Sequence, residues 1–104
     1  MDRYEKLYAM ISAAGIPTVY RALPEGRAPS LPFVCYLERG SDNFAADNAV
    51  YFPKGEVAVE LYTQEKDPLA EARIEAALSG VVWEKTEDYI ESERCYMVTY
   101  SFDF

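Results

Sequence analysis

The chain has 104 residues, half of them apolar and about a quarter charged, which suits one modest core and a single domain spanning residues 1–104. Eighteen acidic residues against ten basic ones give a net charge of −8, which argues against a nucleic-acid binder, because that affinity begins with Lys and Arg neutralising phosphates. The sequence contains no histidine, so it lacks the usual general base near neutral pH, the Ser-His and Cys-His nucleophile pairs and the commonest transition-metal ligand.

No apolar run is long enough to span a bilayer, and the first stretch, "MDRYEKLYAMISAAG", is too charged and interrupted for a signal peptide. The expectation is a soluble product that stays in the cytoplasm, with no membrane partner.

In chain order, Asp2 to Ala14 predicts a helix, with Tyr4, Leu7, Tyr8 and Ile11 on one stripe, Asp2 as cap and Gly15-Ile16-Pro17 as stop. Thr18 to Ala22 predicts a short strand. Leu23 to Pro32, with three prolines and a glycine, reads as a loop or an edge. From Phe33 the period becomes two: Phe33, Cys35 and Leu37 alternate with Val34, Tyr36 and Glu38 in a strand ending at Arg39-Gly40. The stretch "SDNFAADN" intervenes as a loop before a short strand at Val50 to Phe52. Pro53 to Gly55 supplies a turn, and Glu56 to Thr63 alternates again, with Val57, Val59 and Leu61 opposite Ala58, Glu60 and Tyr62.

A second helix is announced by Asp67 as N-cap, Pro68 at the first helical position and Gly80 as terminator. Leu69, Ala72, Ala76 and Ala77 form its expected small-residue face towards a sheet. "VVWEK" reads as a short strand, "TEDYIESE" as a solvated acidic connector, and "RCYMVTYSFDF" as a last strand with Tyr96, Val98, Tyr100, Phe102 and Phe104 on one face. The expected fold class is α+β, one mixed, mainly antiparallel sheet with two helices packed against it.

The chemistry-bearing residues form no catalytic set. Counted from Asp42, an EF-hand loop would need Gly at the sixth position and Glu at the twelfth, where Asp47 and Pro53 stand. Turn chemistry accounts better for Asp42, Asn43, Asp47 and Asn48, whose side chains bond nearby amides. The acidic run Glu84, Glu87, Asp88, Glu91 and Glu93 has no nucleophile or phosphate loop beside it. Cys35 and Cys95 are too few for a thiolate zinc site and sit in apolar strands, which predicts buried free thiols. The expectation is no enzyme, no metal and no cofactor. Core packing accounts for many of the nine tyrosines, five phenylalanines and one tryptophan, but Tyr62, beside Glu60 on the strand face opposite the apolar row, is the candidate interface aromatic.

Taken in order, the N-terminal helix, "LPFVCYLERGSDNFAADNAVYFP", "VAVELYTQEKDPLAEARIEAAL" and "VVWEKTEDYIESERCYMVTYSF" resemble the small tail-completion (tail-terminator) and head–tail joining proteins of long-tailed bacteriophages and prophages. The resemblance spans almost the whole chain. It implies a structural protein of virion assembly that forms a homo-oligomeric ring, commonly of six copies. Such a ring caps the tail tube, ends its polymerisation and joins it to the head-side connector. It implies partners in the tail-tube and connector proteins, residence in the virion after assembly in the host cytoplasm, and DNA passing through the ring without specific binding. By matching segments, Asp42, Asn43, Asp47 and Asn48, with the loop residues Glu25, Gly26 and Arg27, become candidate contacts between ring neighbours or with the tube. On the residues alone two other readings stay open, a small ligand-binding regulatory domain and an acidic DNA mimic that binds a host factor.

Overall fold

The computed structural model describes residues 2–21, 30–41, 44–46, 49–52 and 54–104. The elements run α1 (Arg3–Ser12), β1 (Thr18–Tyr20), β2 (Phe33–Ser41), β3 (Phe44–Ala46), β4 (Ala49–Phe52), β5 (Gly55–Thr63), α2 (Pro68–Ala77), β6 (Glu84–Ile90) and β7 (Cys95–Asp103). Five strands form one sheet in the order β1-β2-β5-β7-β6. Only β1 and β2 pair in parallel; the remaining neighbours are antiparallel. Both helices lie on one face of this sheet, so the α+β expectation holds.

The caps explain the helix bounds. The Asp2 carboxylate accepts the Glu5 N–H at 2.8 Å and the Asp67 carboxylate accepts the Ala70 N–H at 3.0 Å, each satisfying a donor that the first turn leaves open. Gly15 takes φ 77°, in the left-handed region, and so ends α1 where a side chain would be strained.

Between helices and sheet lies the core. Leu7 and Ile11 of α1 and Ile74 and Leu78 from the α2 end of the chain meet Val34, Val57, Val59, Leu61, Val98 and Tyr100, all essentially inaccessible. Each such aliphatic side chain contributes roughly 1.5–3 kcal/mol by leaving water. The period-two alternation in β5 and β7 puts these residues on the helix-covered face, as the sequence predicted for Val57, Val59 and Leu61 and for Val98, Tyr100 and Phe102.

Three local expectations need correction. On α2 the buried residues are Ala70, Glu71 and Ile74, whereas Leu69 is 76% exposed and Ala72 and Ala76 face solvent. The helix turns its branched Ile74, with Leu78 one turn on, into the core, since burying these outweighs burying alanines. The acidic segment is also no connector. Glu84 to Ile90 forms β6, and only Glu91 to Arg94 make the turn into β7, so Val81, Val82 and Trp83 precede the strand. As an edge strand paired, among the described residues, with β7 alone, β6 leaves almost all of its side chains in water, and its acidic side chains disfavour strand pairing with the same edge of another copy. Finally, the stretch after β2 contains β3, which pairs antiparallel with β4 as a separate two-stranded sheet. The predicted loop is thus partly a hairpin. A radius of gyration of 14.7 Å exceeds the roughly 13 Å expected of a compact chain this long.

Candidate functional site

Of the predicted site residues, Asp42, Asn43, Asp47, Asn48, Glu25, Gly26 and Arg27 lie outside the described residues. Tyr62 is described, and strand alternation places it on the sheet face that carries neither helix. There it stacks on its cross-strand partner Phe33, with ring centroids 4.9 Å apart and planes 19° from parallel. Its hydroxyl donates to Glu60 Oε1 at 3.0 Å. Burial, helped by that bond to a carboxylate, pushes the Tyr62 hydroxyl far above the ordinary tyrosine range, so it remains a neutral donor. Met97 on β7 pairs with Tyr62, and Leu37 pairs with Ala58. This helix-free face therefore has an apolar strip of Phe33, Tyr62, Met97 and Leu37, all partly exposed. Cys35 and Cys95 lie buried within it as free thiols, and burial raises both thiol pKa values.

The helix-covered side holds the main ionic cluster. Glu71, only 4% exposed, is clamped by Lys66 and Lys85, each at 2.7 Å. Lys85 also reaches Glu75 at 2.8 Å, and Lys66 pairs with Glu87. Tyr100, fully buried, donates its hydroxyl to Glu75 at 2.8 Å. These contacts tie α2 to β6 and β7. Every carboxylate in the cluster is paired with a lysine, so the cluster fastens α2 to the sheet. Among the described residues no group of three or more metal-ligating side chains could hold an ion.

The sequence reading missed a third feature. At the β1 edge, Tyr4, Tyr8 and Tyr20 are roughly half exposed and gather round the buried Tyr36. The Tyr20 and Tyr36 rings are 5.1 Å apart and the Tyr8 and Tyr36 rings 6.4 Å. Tyr4, Tyr20, Tyr36 and Glu38 line an open cleft of about 400 Å³. Arginines stand over two of the rings: Arg3 lies 5.2 Å from the Tyr4 centroid and Arg21 5.7 Å from that of Tyr20, within the range for cation–π attraction.

Arg21 is held in an unusual backbone state, with φ 59°. A residue with a Cβ spends about 1–2 kcal/mol to adopt that region. Bonds to β2 hold it there, since its N–H donates to the Tyr36 carbonyl at 2.8 Å and its own carbonyl accepts from the Cys35 thiol at 2.9 Å. The available signal was the presence of Tyr rather than Leu at two of the four positions on the α1 stripe. A core stripe has no need of hydroxyls, and the tyrosines here occupy its margin.

No known protein family matches the chain by profile, and no curated protein matches it by sequence. Among solved structures, the fold is similar to that of a chain in the "virion of native gene transfer agent (GTA) particle". The TM-score is 0.57 at 14% identity, over 93% of this chain and 81% of that one.

Proposed function

We propose that the chain is a structural subunit of a phage or phage-like particle, acting without catalysis or cofactor. Within that class we assign it to the ring that caps the tail tube, ends its polymerisation and meets the head-side connector. The likeness of fold to a virion chain, over nearly the whole length, carries the coarser reading. The finer one is supported by the order of the sequence blocks and by surfaces suited to contact: an apolar strip at Tyr62 and a tyrosine–arginine corner at β1, chemistries enriched at protein interfaces. The net charge of −8 suits a ring that DNA must traverse without sticking.

The test is negative-stain microscopy of the purified protein mixed with tail tubes from the same particle. Density confined to the head-proximal tube end, together with tubes that no longer elongate, is the expected result. Binding along the tube wall, or none, would overturn the tail assignment.

A further inference from the structure

The two edges of the sheet carry different and complementary chemistry. At the β1 edge, the exposed Arg21 side chain lies over Tyr20 and donates to the Glu38 backbone carbonyl at 3.2 Å. No carboxylate pairs with this guanidinium among the described residues. The opposite edge is β6, where Glu84 and Asp88 are exposed and likewise have no ion-pair partner among the described residues. Just before that strand Val82 stands 93% exposed, an apolar side chain with no core to serve. Four strand spacings separate the edges, about 19 Å.

We infer that the Tyr20–Arg21 corner of one copy docks on the β6 edge of a second copy, Arg21 facing Glu84 and Asp88. The inference rests on the ring reading above and names the surfaces that would close it. Two different patches at opposite edges make a head-to-tail contact, the kind that repeats around a ring, and not a two-fold pairing of one patch with itself. The cost of a left-handed arginine at the tip of β1 is consistent with a side chain selected for contact. Copies that each carry −8 repel at long range, but at physiological salt that repulsion is screened beyond about 8 Å. The opposite charges at the edges meet well inside that distance.

Sedimentation velocity of the full chain at physiological salt provides the test. Wild type should form species larger than a dimer as concentration rises. Arg21→Gly removes the guanidinium and relieves the backbone strain, so the variant should unfold in urea no earlier than wild type yet associate at least about tenfold more weakly. Glu84→Lys with Asp88→Lys should weaken association similarly. Mixed together, the two variants retain one intact contact and should form a heterodimer and nothing larger. A wild type that stays monomeric, or association untouched by either variant, overturns the edge contact. Rings that form through these edges but ignore tail tubes would overturn the tail reading alone. Monomers that still cap tubes would overturn the edge contact alone.

Discussion

Arg3 and Glu38 form an ion pair at 2.7 Å that lies across the backbone of Gly55, joining the first turn of α1 to β2 over the start of β5. Arg3 Nε also donates to the Phe104 carbonyl at 2.9 Å, so one side chain ties α1 to the backbone just after β7. A Cβ on Gly55 would collide with the Arg3 guanidinium and the Glu38 carboxylate. Both are the ends of flexible side chains, so they would swing away rather than distort the strand. Gly55→Ala should therefore cost about 1–2 kcal/mol in urea unfolding, the worth of a part-exposed ion pair with its hydrogen bonds. In an Arg3→Ala background the same change should cost almost nothing. Full additivity of the two would show that the pair is not what Gly55 accommodates.

Glu71 should give the fold an acid limb. Burial pushes its carboxyl up, but the bonds from Lys66 and Lys85 together outweigh burial and leave it below the usual range. Glu75 is lowered as well, chiefly by its bond from Lys85 and then by that from Tyr100. A carboxyl lowered in the folded state contributes stability that is complete above its unfolded value, near pH 4.3, and that fades as pH falls through the folded value. Urea midpoints should therefore drop below about pH 4.3, and drop less in Glu71→Gln. At neutral pH that variant should lose about 1–3 kcal/mol. An unchanged acid slope would remove Glu71 from the account.

Legibility in the sequence followed the source of each signal. Strands β5 and β7 bury one face under helices, so their alternation was clear and their inward residues were read correctly. The caps at Asp2 and Asp67 and the stop at Gly15 were equally plain, because each answers a local backbone need. Strand β6 was hidden because an edge strand that leaves both faces largely in water has no apolar period, and Glu84 to Ile90 looks like a solvated run. The tyrosine corner was hidden for another reason: Tyr4 and Tyr8 obey the helical stripe that Leu7 and Ile11 bury, yet they lie at its margin and stay about half exposed. Arg21 gave no sequence sign, since its left-handed backbone is imposed by bonds to Tyr36 and Cys35 from β2.

The misread face of α2 leads to a direct test. Leu69 is 76% exposed and Ile74 is 1% exposed. Leu69→Ser should leave stability within about 0.5 kcal/mol of wild type, whereas Ile74→Ala should cost about 2–5 kcal/mol through a cavity under the sheet. If Leu69→Ser proved the more damaging change, α2 would have to be rotated about its axis.

Cys35 and Cys95 are 8% and 4% exposed, and burial raises both thiol pKa values. At pH 8 a thiol reagent should react with the native protein at the rate of unfolding, with both sites released together in denaturant. Rapid labelling of either thiol in the native state would contradict the packing of the helix-free face.

The Phe33–Tyr62 stack separates contact from stability. In a double-mutant cycle to Leu, the pair should show a coupling of about 0.5–1.5 kcal/mol, the usual worth of a stacked pair beyond its buried area. Tyr62→Phe keeps the stack and removes only the bond to Glu60. That bond is part-buried, so losing it should cost about 1 kcal/mol or less. If the apolar strip is an assembly surface, Tyr62→Phe should bind tail tubes as wild type does, because the ring supplies most of the contact area. Glu60→Lys should impair binding while the stack keeps the monomer folded. Equal tube binding by wild type and Glu60→Lys would move the interface away from this face and leave the β1 corner as the surface to pursue.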